Sequence, residues 1–277
     1  MEINSYAACV TGRRRQNNED NVFLCGQYRE DVSVAEFFSC YDGRAPFLCA
    51  VSDGMGGEQS GEMASLEAVR TLKEYMNDFD AHCDEYITAA NAAVVAHELD
   101  GEHIGTTVCT LFISDGRAYV CNIGDSRVYL KRAGALYQLS HDHTQAQQMC
   151  DHGIISADEI AVNPHRHELT QYIGIPPEEM LIEPAVAEPF DVEPEDIFLL
   201  CSDGLTDMLG DEDIYRILSL GGDAEKLALE LIDAAMSAGG KDNTSVIVVR
   251  MVPPKAGEIL KNAAAKLTAM FKRVEET

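Results

Sequence analysis

"FLCAVSDGMGG" (Phe47–Gly57) is an apolar run that ends in an acid, Asp53, and then in glycines. "DIFLLCSDGLTDML" (Asp196–Leu209) repeats the figure: an apolar run, Ser-Asp-Gly, then a helix-like stretch. Short runs of Phe, Leu, Val and Ile bounded by Asp and Gly read as strands buried on both faces. Twice, the chain carries a carboxylate to the end of such a strand and turns sharply after it.

Similar runs surround these two. "YAACV", "NVFLC", "TTVCTLFI", "RAYVCNI", "SRVYLKR", "LYQLS" and "TSVIVVRMV" are rich in β-branched and aromatic residues and bounded by Gly, Asp and Asn. Residues 105–140 place several strands in succession with short turns, which favours antiparallel pairing. Between Glu58 and Met76, the residues Met63, Leu66, Val69, Leu72 and Met76 recur at helical spacing. Asp84–Leu99 and Ala224–Ala238 read as helices of the same kind. The expected fold is α+β, with antiparallel sheets packed on each other and helices outside.

Residues 141–180 break this rhythm. "HDHTQAQQMCDHGIISADEI" reads as a helical stretch, a Gly turn and a short helix, and "AVNPHRHELTQYIGIPPEE" as irregular polar chain. These residues are expected to form a surface flap between strands. The domain is expected to span residues 1–252. Residues 253–277 begin at Pro253 and Pro254 and read as a basic-leaning helical tail.

With 46% hydrophobic residues in 277, the chain can bury the core of one such domain. The formal charge of −26 argues against nucleic-acid partners, whose phosphates would be repelled. No run approaches the roughly 18–20 apolar residues that span a bilayer. The first residues, "MEINSYAACVTGRRRQ", lack the apolar core of a secretory signal. Nine scattered cysteines without a C-x-x-C pair suit a reducing, cytoplasmic location.

The acids at strand ends form a set: Glu19 and Asp20, Asp53, Asp125, Asp142, Asp203 and Asp242. A lone Asp-Gly is ordinarily a turn or a helix cap. Several such ends brought together by two sheets would instead crowd like charges, and a hard divalent cation resolves the repulsion. Oxygen ligands suit Mg²⁺ or Mn²⁺, and no H-E-x-x-H motif or Cys cluster supports zinc. Arg15, four residues before Glu19, would be repelled by a cation cluster unless an anion lay between them. A phosphate fits, because a guanidinium grips it through two parallel hydrogen bonds. No G-x-x-x-x-G-K-[ST] loop is present, so a nucleotide cradle has little support.

The ordered set "RxxxED" (Arg15, Glu19, Asp20), "SDGMGG" (52–57), "GTT" (105–107), "GDSR" (124–127), "DHT" (142–144), "SDGL" (202–205) and "DNTS" (242–245) resembles the protein phosphatase 2C family, metal-dependent serine/threonine phosphatases, of the bacterial type. The match spans about residues 5–250. The resemblance implies a central antiparallel β-sandwich flanked by helices on both faces, in four layers. It implies two Mn²⁺ or Mg²⁺ ions held by Asp53, Asp203, Asp242 and the Gly54 carbonyl, with Asp20 holding metal-bound water. It places Asp142 with Asp203 at a third, weaker metal, Arg15 on the substrate phosphate and the flap at about residues 150–178.

The implied reaction is in-line attack of a metal-bridging hydroxide on phosphoserine or phosphothreonine, without a phospho-enzyme. The implied partners are phosphorylated proteins, those of a bacterial-type serine/threonine kinase, and a monomer is expected. Met55 stands where eukaryotic-type members have a histidine and cannot donate a proton to the leaving group. Metal-held water is the first replacement, ahead of His141, His143, His165 and His167. Two other classes compete: a non-catalytic phosphatase-like binding or sensing module, and a structural cation-binding protein. Retention of Asp53, Asp203 and Asp242 opposes the first, and the lack of a D-x-[DN]-x-[DN]-G loop opposes the second.

Overall fold

The computed structural model describes residues 1–56, 60–97 and 104–253. The expected tail helix and Gly57 of the first glycine turn lie outside the described residues. In chain order the first half contains β1 (Glu2–Val10), β2 (Asp20–Leu24), β3 (Gln27–Tyr28), β4 (Phe37–Gly43), β5 (Phe47–Met55), α1 (Ser60–Thr71) with a 3-10 turn at Leu72–Tyr75, α2 (Phe79–Val95) and β6 (Gly105–Thr106). There follow β7 (Val108–Ser114), β8 (Arg117–Ile123), β9 (Arg127–Arg132), β10 (Ala135–Gln138), α3 (Gln145–Asp151) and α4 (Ala157–Ile160). The last part holds β11 (Ala185–Val186), β12 (Phe190–Asp191), β13 (Ile197–Cys201), α5 (Asp203–Thr206), α6 (Asp211–Leu218), α7 (Ala224–Ala238) and β14 (Thr244–Val252).

Two antiparallel sheets result. One runs β10-β9-β13-β14-β1-β4, the other β11-β8-β7-β5-β2-β3, with β12 beside β8 and β6 beside β5. The period-2 alternation of strand side chains explains why their central strands are apolar throughout. In β5, Phe47, Cys49 and Val51 face the seam and meet Ala7, Phe198, Leu200, Ile247 and Val249 of the other sheet. The alternate residues Leu48 and Ala50 face outward onto Ala64, Val69, Phe79, Tyr86 and Ala90 of α1 and α2. On the other sheet, Leu199, Val246 and Val248 face Ile214, Ile217, Leu227 and Leu231 of α6 and α7. The order is therefore helix, sheet, sheet, helix. Truncating Phe198, fully buried at the seam, to alanine should cost about 3–5 kcal/mol.

Helix α7 matches the sequence reading residue for residue. The Asp223 side chain accepts from the Lys226 amide at its start, and Gly239, at φ +140°, ends it where a side chain would be strained. Elsewhere the structure adds or corrects. β4 was not expected: it is an edge strand with a mostly half-exposed pattern. α2 starts at Phe79 rather than Asp84, and non-helical backbone at His82 (φ −129°) interrupts the regular spacing there. The strands of 105–140 do not all pair in succession. β7 pairs with β8, but β9 crosses to the other sheet and pairs with β13 and β10. That crossing sets the Gly124–Ser126 turn at one end of the sandwich, beside the ends of β5 and β13. In the expected flap, α3 and α4 flank Gly153 as read. The cap of α3 is Thr144, whose side chain accepts from the Gln147 amide.

Candidate active site

The strand-end acids meet at that end. Asp20 and Asp53 face each other directly across the β2–β5 ladder. Like charges so placed are destabilising unless something offsets them. Asp20 is fully buried, and the Ser202 hydroxyl donates to its Oδ2 at 2.8 Å. Its other oxygen, Oδ1, is buried with no hydrogen-bond partner among the described residues. An unsatisfied carboxylate oxygen of that kind is costly unless a proton or a cation meets it.

The motifs act as a scaffold around these acids. The "GTT" residues hold Asp53 by its backbone. The Thr106 hydroxyl and the Thr107 amide donate to the Asp53 carbonyl at 2.8 and 2.9 Å, and the Asp53 amide donates to Thr107 Oγ1 at 3.1 Å. The "DNTS" asparagine, Asn243, accepts from the Glu19 amide and donates to the Thr11 and Asn17 carbonyls, lacing the Arg15 loop to Asp242. Gly54 must be glycine for space, since a Cβ there would collide with the Gly61 carbonyl oxygen.

Crowding and burial push these acids upward. Burial, with Asp203 and Asp242 nearby, raises Asp20 to about 7. Burial and the neighbouring Asp242 and Asp207 raise Asp203 to about 6. Asp53 and Asp125 are pushed well above the usual carboxylate range, first by burial and then by their acidic neighbours. A cleft of about 460 Å³ opens over the group, lined among others by Arg15, Asp53, Gly54, Met55, Asp125, His167, Asp203 and Asp242.

Asp53, Gly54, Asp203 and Asp242 line this cleft together, and Asp20 lies opposite Asp53 on the neighbouring strand. Arg15 reaches the same cleft, where its guanidinium bonds directly to Asp242 Oδ2 at 2.7 Å.

Asp142 is differently placed. Both its oxygens are taken by the Arg127 guanidinium, at 2.6–3.1 Å, and Gln138 donates to Oδ1. Beside it, Asp125, His167 and Asp203 bring one ligand atom each within 4.8 Å of one another, and Asp142 lines the same lobe of the cleft. Asp125 was among the strand-end acids, but nothing in "NIGDS" distinguished it from a turn residue. His167 sits in the irregular 161–179 stretch, where no periodicity signals position. Its ring lies 3.7 Å from Asp203 and 3.4 Å from Asp207. The other histidines are otherwise occupied: His141 pairs with Asp151, His165 with Glu168, and His143 accepts from the Gly124 amide.

Two packed sheets, with a cluster of acids at one end joined by an arginine, form the arrangement that the resemblance in the sequence implied. The chain belongs to the protein phosphatase 2C family: the family profile described as protein phosphatase 2C matches residues 26–228. Arg15, Asp20 and Asp242 lie beyond that match. The serine/threonine protein phosphatase PstP of Mycobacterium tuberculosis is 33% identical over 255 residues, 89% of this chain and 45% of PstP. The serine/threonine phosphatase stp of Listeria monocytogenes is 29% identical, over 86% of this chain and 92% of stp. The crystal structure of the PstP catalytic domain in complex with two manganese ions superposes with a TM-score of 0.72 at 30% identity, covering 91% of this chain and all of that one. This chain spans less than half the length of PstP.

Proposed function

We propose that this chain hydrolyses phosphoserine and phosphothreonine in proteins, using divalent cations held by Asp53, the Gly54 carbonyl, Asp203 and Asp242, with Asp20 behind them. The observation that carries this reading is the crowd of acids at one end of the sandwich, with Asp20 Oδ1 buried and unmet. An oxygen-only donor set fits Mn²⁺ or Mg²⁺. Cations bound there supply Lewis acidity, activating water near neutral pH and offsetting charge on the phosphoryl oxygens.

The chain's own residues do the rest. Arg15, half exposed at the cleft, can exchange Asp242 for a phosphate and orient it through its planar fork. Thr106, Thr107 and Ser202 fix the acids so that little reorganisation accompanies charge development. A third cation is proposed on Asp125, His167 and Asp203, because Asp142 is held by Arg127. Residues 150–178 are proposed to act as a flap beside the cleft, since His167 reaches it from there. Nine free cysteines support a reducing, cytoplasmic setting. Among the described residues no helix is long and apolar enough to cross a membrane. The substrates proposed are those of a bacterial-type serine/threonine kinase, and the chain is proposed to act as a monomer.

The test is phosphate release from a phosphothreonine peptide after EDTA and after Mn²⁺ is restored. Loss in chelator and recovery with Mn²⁺, more readily than with Ca²⁺, is expected. Full turnover in excess chelator would refute the cation-dependent reading.

A further inference from the structure

The cleft over the acids has a second kind of wall. Beside the charged groups it is lined by Met55, Leu169 and Tyr172, each half-buried. An apolar side chain left singly at a surface needs no explanation. These three come from separate parts of the chain, the end of β5 and residues 169–172, and converge beside the acids. β6 runs between the two parts, paired with Met55 on one side and with Ile173 on the other. It also makes room for them. A Cβ on Gly105 would stand 2.6 Å from Tyr172 Cδ2 and 2.9 Å from Met55 Cε, so glycine is what lets the ring and the thioether close over that strand.

The aromatic side of this wall is held rigidly. Isolated β-bridges fix both its ends, Leu169 against Thr144 and Ile173 against Thr106. Thr106 and Ile173 exchange amide-to-carbonyl hydrogen bonds at 2.8 and 2.9 Å, and the Thr170 amide donates to the His143 carbonyl. Just beyond, the buried Asn91 side chain of α2 accepts from the Gly174 amide at 2.7 Å and donates to the Ile175 carbonyl at 2.9 Å. Gly174 stands at φ +117°, and a Cβ there would collide with the Ile104 carbonyl oxygen. Along this segment the side chains divide. Ile173 is fully buried in the core, and Gln171 accepts from the Glu183 amide. Leu169 and Tyr172 are left to the cleft. Apolar groups fixed in this way offer a surface that need not be ordered when something binds.

We infer that Met55, Leu169 and Tyr172 form a subsite for an aromatic side chain next to the phosphorylated residue of the substrate, with Tyr172 as the specificity-determining residue. The inference rests on the phosphatase reading and names the neighbour that this site selects. In that reading Asp53, Asp203, Asp242 and Arg15 take the cations and the phosphate, which leaves the apolar wall for carbon. A charged or amide side chain would lose water against this wall without gaining a partner. An aromatic one gains twice. Its ring packs offset or edge-on against Tyr172, and its edge meets the Met55 sulfur. The reach is suitable, because an extended peptide advances about 3.3–3.6 Å per residue. The cleft, at about 460 Å³, is of a size that encloses a small ligand, here the phosphoresidue and one neighbour.

The test uses a phosphothreonine peptide with alanines on both sides, and versions carrying one phenylalanine or one lysine at each of the two positions on either flank. Each is assayed with the Mn²⁺-loaded protein. The readout is kcat/KM relative to the all-alanine peptide on the same protein, a ratio in which any general loss of activity cancels. The wild type should prefer at least one phenylalanine peptide about fivefold, through KM, and show no such preference for lysine at that position. Tyr172→Ala should bring the ratio to about one, and Leu169→Ala should lower it by about half. Tyr172→Phe should keep it, because the ring rather than the hydroxyl carries the contact. Equal treatment of all peptides by the wild type, a preference that survives both alanine substitutions, or one lost in Tyr172→Phe would overturn the subsite. Failure of the wild type to turn over any peptide would instead count against the phosphatase reading. In that case, fluorescence anisotropy of the same labelled peptides still decides the subsite: phenylalanine-dependent binding that Tyr172→Ala removes supports it, and indifference to phenylalanine refutes it.

Discussion

Asp142 and Asp203 are both aspartates that follow a strand at the same end of the sandwich, and both line the lobe of the cleft around Asp125 and His167. They have opposite surroundings. Asp142 is 5% exposed and gripped by Arg127 through both oxygens, so its charge is matched within the protein. Asp203 faces other acids, and burial with that company raises it to about 6. A carboxylate with a bidentate guanidinium contributes to the fold. One crowded by its own kind is costly to the fold, and a bound cation would offset that cost. Position at a strand end does not separate these roles; the partner does.

The largest contrast should come from removing each acid. Asp203→Ala should lower turnover on the order of 10³-fold or more at saturating Mn²⁺, while the melting temperature in chelator stays level or rises as repulsion is relieved. Asp142→Ala should do the reverse. It strands a largely buried guanidinium and should cost about 3 kcal/mol of stability, while turnover per folded molecule is retained. Thermal melts and phosphate release on both variants check this, and a stable, inactive Asp142→Ala protein would return that residue to the cation site.

A smaller effect is expected at Arg15. Arg15→Ala should raise KM for phosphopeptides by about 1.5–3 kcal/mol in binding terms and leave Mn²⁺ affinity nearly unchanged. Lysine should rescue only in part, lacking the fork. Unaltered KM and kcat would make the Arg15–Asp242 pair a surface ion pair.

How much of this was legible in the sequence follows the same division. The buried strands were plain because both faces are covered and their residues are apolar throughout, as in "FLCAVS" and "SVIVV". The acids were plain because each sits at one end of a strand-like run, before it at Asp20 and Asp242 and after it at Asp53 and Asp203. The edge strand β4, "FFSCYDG", was not, since one half-exposed strand carries no continuous apolar signal. Nor was the pairing of Arg127 with Asp142, residues 15 apart whose meeting depends on β9 crossing to the other sheet. His167 was visible only as one histidine among several, because irregular chain has no period to place it.

The smallest effect is on pH dependence without cation. Asp20, at about 7, and Asp203, at about 6, hold protons more tightly folded than at their ordinary 3.8. Folded values above unfolded ones mean stability that is full below about pH 4 and is lost as pH rises through about 6 and 7. In chelator the melting temperature should therefore fall between about pH 5 and pH 8, and Mn²⁺ should flatten that slope. A slope that Mn²⁺ leaves untouched would mean these acids are not where the cation binds.

The most direct measurement is Mn²⁺ calorimetry on the wild type, Asp53→Asn and Asp142→Ala, each confirmed as folded. The wild type and Asp142→Ala should each bind two tight ions per chain, with Asp53→Asn losing at least one, because Asp53 lies at the centre of the acid group. Equal tight stoichiometry in Asp53→Asn and the wild type would contradict the assignment of the strand-end acids as the cation centre.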